Sequence, residues 1–298
     1  MAVTGAMVTR CAFLLPQCMG GSTVVRGSGR QTMAFSSSSI PTLSLRAAPL
    51  RHSFMPSSTR NFHSCRVVFS KCVTREEGEI DSATYRVFLS DETGRPMSPW
   101  HDIPLDAGDG RFNFVVKVPK DTRRKMEVAT CEPFTPFRQD INENGDLRSF
   151  PHNMNWNYGL LPQTWEDPQV LNRDVENARG DNDPVDVVEI GERQAKLGEV
   201  LKVKVLAVWA MIDEGDLDWK VVVISVDDPK AHLVNNVADV EEHFPGTLTA
   251  IRDWFRDYQI PDGKPANRFG LDNKPAEKDY ALTVISETHA VWAKYFKW

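Results

Sequence analysis

Val200-Leu201-Lys202-Val203-Lys204-Val205-Leu206-Ala207-Val208-Trp209-Ala210-Met211-Ile212 is followed by Asp213-Glu214-Gly215-Asp216-Leu217-Asp218 and then by Trp219-Lys220-Val221-Val222-Val223-Ile224-Ser225-Val226. The two outer runs are rich in Val and Ile and read as strands joined by a short acidic turn. Upstream, Val185 to Ile190 reads the same way. Further upstream, Phe112, Phe114, Val116 and Val118 alternate with Asn113, Val115 and Lys117, the period-two pattern of a strand with two distinct faces. After a turn over Pro119 to Arg124, Lys125 and Glu127 share one strand face and Met126 and Val128 the other.

Downstream the period changes. Leu248, Ile251, Phe255 and Tyr258 recur at helical spacing between Pro245 and Tyr258. Leu282, Ile285, Trp292 and Phe296 do so between Ala281 and Phe296, with Asp279 placed to cap the start. Strands followed by helices, not alternating with them, predict an α+β domain built around a closed or partly closed sheet. This folded part is expected to begin near Ile80 and run to Trp298, without an internal repeat.

The N-terminal quarter has a different composition. No Asp or Glu precedes Glu76, while Arg10, Arg26, Arg30, Arg46, Arg51, Arg60, Arg66, Lys71 and Arg75 are all cationic. Ser is frequent there, including the run Ser36 to Ser39. Such a segment buries too little apolar surface to offset the entropy of ordering it. A basic, Ser-rich, acid-free leader is the composition of a mitochondrial or chloroplast transit peptide. Residues 1–72 are therefore expected to be a disordered transit peptide, and residues 73–298 the catalytic domain. Cys11 to Pro16 is too short an apolar stretch for a secretory signal. The alternative is a basic tail that stays attached.

The nine leader cations leave the remainder near −15, where the whole chain carries −6. A body so acidic repels nucleic acid and favours cations. It also lacks the basic, aromatic-studded face of an OB-type nucleic-acid module. No run reaches the roughly 20 apolar residues a membrane span needs. Of five cysteines, only Cys131 lies well inside the folded part, which excludes a disulfide framework and a cysteine metal site.

Chemistry concentrates in Gly180-Asp181-Asn182-Asp183-Pro184-Val185-Asp186. At strand spacing Asp181 and Asp183 share a face, and Pro184 turns the chain so that Asp186 joins them. Three carboxylates this close suit a hard divalent cation such as Mg²⁺. An EF-hand reading from Asp181 to Glu192 fails at Val185 and Asp186, where a ligand and a Gly belong. A solvated acidic turn is the other reading. The Asp213 to Asp218 turn taken alone is an exposed hairpin tip, but together the two clusters close strands at the mouth of one sheet. With Lys125, Arg148, Tyr158, Lys220 and Tyr258 nearby, they suit a metal complex of a polyanion such as a phosphate.

Asp181-Asn182-Asp183-Pro184-Val185-Asp186-Val187 resembles the signature of soluble family I inorganic pyrophosphatases. The likeness runs from about Phe112 to the last helix. It takes in Asn157-Tyr158-Gly159-Leu160-Leu161-Pro162-Gln163-Thr164-Trp165-Glu166-Asp167, Asp213-Glu214-Gly215 with Asp218-Trp219-Lys220, and Ile260-Pro261-Asp262-Gly263-Lys264-Pro265. The long form of these motifs resembles the eukaryotic branch and its plastid-targeted plant and algal members.

The resemblance implies a five-stranded OB-like β-barrel core with flanking C-terminal helices, and three to four Mg²⁺ ions. It implies hydrolysis of magnesium pyrophosphate to two phosphates in the plastid stroma, with the mitochondrion as the alternative, by a monomer or homodimer that binds neither nucleic acid nor membrane. By the family pattern Asp181, Asp186, Asp213, Asp218 and Glu127 ligate metal, and Asp183 orients and deprotonates the attacking water. Lys125, Arg148, Tyr158, Lys220 and Tyr258 clamp the phosphoryl groups, Tyr158 and Lys220 acting at the reacting centre.

Three positions depart from the pattern. Lys117 stands where the family has Glu, Gln259 where it has a phosphate-binding Lys, and Met154 where fungal forms have Tyr. Plastid-type relatives also lack that Tyr. Glu to Lys changes the local charge by two units in a site where every charge is coupled. Either Lys117 supplies a cation that Gln259 no longer provides, or the chain is a weakened, pyrophosphatase-like binding or scaffold paralogue.

Overall fold

A computed structural model describes residues 72–142 and 144–297. The expected transit peptide lies outside the described residues. In chain order the strands are β1 Val73–Glu77, β2 Arg86–Ser90, β3 Pro96–Met97, β4 Asp106–Gly108, β5 Arg111–Val118, β6 Met126–Val128, β7 Phe137–Gln139 and β8 Asn157–Leu160. They continue as β9 Leu171–Asn172, β10 Ala178–Gly180, β11 Asp186–Glu189, β12 Val200–Asp213, β13 Asp216–Ser225, β14 Arg268–Phe269 and β15 Ala276–Glu277. The helices are α1 Val237–His243, α2 Thr247–Asp257 and α3 Lys278–Phe296.

The β12–β13 hairpin is the spine. Asp213 pairs with Asp216, so only Glu214 and Gly215 form the turn. Both have positive φ, 51° and 103°, as a two-residue turn matching strand twist demands. Nearly every residue of β12 is buried because both faces are covered. Trp209 and Met211 enter one core, which α1 and α2 join through Val240, Leu248, Ile251 and Phe255. Val208, Ala210 and Ile212 enter a second core with Ala281, Val284 and Ile285 of α3. A register shift between Val205 and Ala207 puts Leu206 and Ala207 on the same side, so alternation breaks there.

The five-stranded OB-like barrel is not what forms. β12, β5, β8, β11 and β13 pair in succession and β13 returns to β12, but this ring is not closed into a barrel. It sits inside a ten-stranded sheet that runs on from β14 to β9, with β4 paired to β5 and β15 to β12. Two pairings, β10–β13 and β11–β13, are parallel. A separate five-stranded sheet holds β1, β2, β3, β6 and β7. β5, β12 and β13 were legible because they are long and apolar, at 8, 14 and 10 residues, while β6 and β11, at 3 and 4, were read from a face pattern after a turn and from a Val-rich run. The others are mostly two to five residues and carry too few residues for a period to show. Pairing begins at Val73, opposite Ser90, ahead of the expected start near Ile80.

Two local expectations also change. The register of β5 on β8 shifts between Val116 and Val118, so Val118 packs with Val115 in the first core, not with Phe114 and Val116. Helix α3 starts at Lys278 with Glu277 at its N-cap, which leaves Asp279 in the first turn. The helices are C-terminal as expected, and α1, capped by the Asn236 side chain on the Asp239 amide, was not anticipated.

Candidate active site

β11 lies between β8 and β13, and its register sets Asp186 opposite Lys220. Asp218 is two residues before Lys220 and shares its face. Lys117 sits at the register shift of β5 on β8, beside Tyr158. These placements make Asp186 a hub. Its Oδ2 accepts hydrogen bonds from Lys220 Nζ at 2.6 Å and from the Tyr158 hydroxyl, and its Oδ1 lies 2.9 Å from Lys117 Nζ. Burial alone would raise this carboxyl, but Lys117 and Lys220 hold it down at about 2. Burial opposes both ammonium groups, yet their carboxylate partners outweigh it and raise both lysines. Lys220 also donates to Asp218, and Lys117 to Glu127.

A second group lies alongside. Carboxylate oxygens of Glu166, Asp181 and Asp218 all fall within 4.8 Å of one another. The Glu166 amide donates to the Asp183 carbonyl and its own carbonyl accepts from Asn182, both at 2.9 Å. Gly180 makes this close approach possible, since a Cβ there would stand 2.3 Å from the Glu166 carbonyl carbon. Glu166 Oε1 accepts from the Trp219 amide at 2.8 Å, whereas its Oε2 is buried with no partner among the described residues. Burial first, and then mutual repulsion, raises Glu166 and Asp181 well above the usual carboxylate range. Burial and the Asp186 charge raise Asp218 to about 7 despite Lys220. Three crowded carboxylates with an orphaned oxygen fit a hard divalent cation, which would satisfy that oxygen and relieve the repulsion.

A third group continues from Glu127. Lys125 and Arg148 both hold Asp140 Oδ2 at 2.8 Å, and Lys125 is 3.3 Å from Glu127. Tyr258 donates to Asp213 at 3.2 Å, and Gln259 donates to the same carboxylate at 2.7 Å and to Asn267 at 2.8 Å. Burial, then neighbouring carboxylates, raises both Tyr158 and Tyr258, so each stays a protonated donor. Asp183 is exposed to solvent. Desolvation first, and then Glu127, lifts it to about 6.

Contacts join Asp186, Asp218, Glu127, Lys125, Arg148, Tyr158 and Lys220 in one network. Asp181 stands against Asp218, Asp183 follows Asp181 two residues on, and Tyr258 holds Asp213. The geometry behind the expected face shared by Asp181 and Asp183 is different, however. Residues 181–185 form a bend, not a strand, with Asn182 at φ 76° and the Asp183 amide donating to Asp181 Oδ1 at 3.0 Å. Sequence reasoning missed Glu166 and Asp140. Glu166 lies within the quoted Asn157 to Asp167 segment, but nothing local marks it off from its neighbour Asp167, and its approach to Asp181 depends on Gly180. Asp140 stands alone after β7.

Because the cluster carboxylates hold protons that a metal must displace, cation affinity should depend on pH. Affinity for Mg²⁺ is expected to rise as pH climbs from about 6 to 8, through the raised values of Asp183 and Asp218. Binding near pH 7 should release protons, seen calorimetrically as a binding heat that varies with the buffer's ionisation enthalpy. A pH-independent affinity over that range would count against this cluster.

A sheet-borne pocket pairing a carboxylate cluster with buried cations defines a metal-assisted phosphoryl-transfer site. The sequence profile of the inorganic pyrophosphatase family matches residues 114–293, and the chain belongs to that family. It is 64% identical over 248 residues to the soluble inorganic pyrophosphatase 6, chloroplastic, of Arabidopsis thaliana, covering 83% of this chain and 82% of that one. It is 57% identical over 219 residues to the soluble inorganic pyrophosphatase 1, chloroplastic, of Chlamydomonas reinhardtii, covering 74% and 77%. Among solved structures, the type I inorganic pyrophosphatase of Toxoplasma gondii superposes with a TM-score of 0.72 at 44% identity, covering 75% of this chain and 99% of that one. An N-terminally truncated vacuolar soluble pyrophosphatase of Trypanosoma cruzi, in complex with PPi, gives 0.73 at 41% identity, covering 83% and 99%.

Proposed function

We propose that this chain is a magnesium-dependent inorganic diphosphatase that hydrolyses pyrophosphate to two orthophosphates in the pocket around Asp186. The observation that carries the reading is the pairing, in one site, of a three-carboxylate cluster bearing an orphaned oxygen with the buried cations Lys117 and Lys220 and the half-buried Lys125 and Arg148. Phosphorus NMR of pyrophosphate with the chain and Mg²⁺ tests it: the pyrophosphate signal should give way to orthophosphate alone, two per molecule consumed.

Asp181, Asp218 and Glu166 would hold Mg²⁺ and Asp213 would serve a further ion; by the family pattern Asp186 and Glu127 would serve others, to a total of three or four, but in this chain Lys117 lies between those two. Bound divalent cations neutralise phosphoryl oxygens and acidify water near neutral pH. Asp183, raised to about 6, accepts and holds the proton of the attacking water. Lys125 and Arg148, which share Asp140 in the free chain, turn to the phosphate oxygens. Tyr158, Tyr258 and Lys220 donate to the phosphate that departs, spreading its charge.

The chloroplastic designation of the plant and algal relatives supports plastid import of this chain as well. Its basic, acid-free leader points the same way. Cleavage is expected between about Arg60 and Arg75, close to the first residue of β1. N-terminal sequencing of protein from the source cells checks this, and a mature form starting at Met1 or Ala2 would rule out import processing. Among the described residues no helix is long and apolar enough to cross a membrane.

A further inference from the structure

Lys117 is an uncommon group to bury in the centre of a sheet. It is 5% exposed, and its ammonium is enclosed by the Asp186 and Glu127 carboxylates and by the Tyr158 ring, whose centroid is 4.8 Å away. The register shift between Val116 and Val118 is the local irregularity that releases this position from regular pairing with β8. A buried carboxylate and a half-buried one held close to the same point are stabilised by a cation between them. Here the chain itself supplies one, covalently tethered to β5.

The neighbouring carboxylates show the contrast. Both Asp186 oxygens are engaged by ammonium groups, Oδ1 by Lys117 and Oδ2 by Lys220. In the Glu166, Asp181 and Asp218 cluster, Glu166 Oε2 has no partner among the described residues. The Asp186 and Glu127 pair is matched by ammonium groups, whereas in the three-carboxylate cluster only Asp218 meets one, from Lys220. A Lys in place of a Glu adds two units of charge, the same as one divalent ion. The Gln259 amide makes no such substitution. It bonds Asp213 and Asn267, and those residues are not partners of Lys117.

We infer that the Lys117 ammonium is a built-in cation that stands in for one divalent ion between Asp186 and Glu127. This chain then binds one metal ion fewer than it would with a carboxylate at position 117. The inference rests on the proposed metal-dependent reading of the same pocket, and it names how that pocket's metal requirement is set. It makes Lys117 a determinant of metal stoichiometry, acting on the two carboxylates and not on the substrate.

The test counts ions without substrate. Purified full chain, Lys117→Glu and Lys117→Met are titrated with Mn²⁺ alone, and bound ions are counted from the loss of the free Mn²⁺ paramagnetic resonance signal. Lys117→Glu is expected to bind one more Mn²⁺ per chain than the native protein. Lys117→Met, which keeps a similar side-chain length and removes the ammonium, should also gain one ion, because Asp186 and Glu127 lose the cation that bridges them and keep only Lys220 and Lys125 on their other sides. Equal counts in all three proteins would overturn the inference. The outcome is independent of turnover. A native chain that splits pyrophosphate while the counts stay equal defeats this inference and leaves the activity standing. A native chain without activity, whose variants each gain an ion, does the reverse.

Discussion

Asp186→Asn is expected to lower the rate of pyrophosphate hydrolysis by at least about a hundredfold, the scale of losing a main catalytic group. The substitution keeps the shape of the side chain and removes the one charge that Lys117, Lys220 and Tyr158 all address. With a neutral amide, one position must present a donor to a neighbouring ammonium, so the lysines lose their fixed positions as well as their counter-charge. The fold should survive, because β11 keeps its pairing with β8 and β13 through the backbone. Initial rates at saturating Mg²⁺ and a circular dichroism spectrum settle the matter together. Near-native turnover in Asp186→Asn would mean that this carboxylate has no part in the reaction and that the chemistry lies elsewhere.

Lys220→Met should show its largest effect on stability. Lys220 is 1% exposed and is held by Asp186, Asp218 and the Tyr158 hydroxyl, with the Phe255 ring centroid at 5.2 Å. Removing one partner of a buried ion pair leaves charge without compensation, which typically costs about 3–5 kcal/mol. Urea unfolding of the metal-free protein should show a loss of that order, with Asp218 taking up a proton more readily. Added Mg²⁺ should restore part of it, since a bound cation supplies charge to the same carboxylates. A loss below about 1 kcal/mol would indicate an ion pair that behaves as a solvent-screened surface contact.

The parts of this architecture legible in the sequence are those with a long enough period. β5, β12 and β13, and the helices α2 and α3, announce themselves because each buries a repeated face over seven or more residues. The ends of these elements were harder to place. A register shift in β5 moves Val118 to the other core, and alternation gives no warning of that. The five-stranded barrel failed for a related reason. Strands such as β9, β10, β14 and β15 are two or three residues long and exist because longer neighbours offer free edges.

In the site, the Asp181 to Asp186 and Asp213 to Asp218 segments were legible as acid clusters, whereas Glu166 was not. Its role depends on a backbone approach across Gly180 that no local pattern encodes. Lys117 shows a third case. The sequence marked it as a departure, with Gln259 as its compensating partner, but only the structure shows which carboxylates each addresses. Lys117 lies on Asp186 and Glu127, and Gln259 on Asp213.

The measurement that bears most directly on the proposed activity is orthophosphate release by the purified full chain, with Mg²⁺, after chelation, and after Mg²⁺ is returned. Rapid release with Mg²⁺, arrest on chelation and recovery on return are the expected results, with Asp186→Asn slow throughout. A folded chain that binds Mg²⁺ and yet releases phosphate from pyrophosphate no faster than buffer alone would contradict the account.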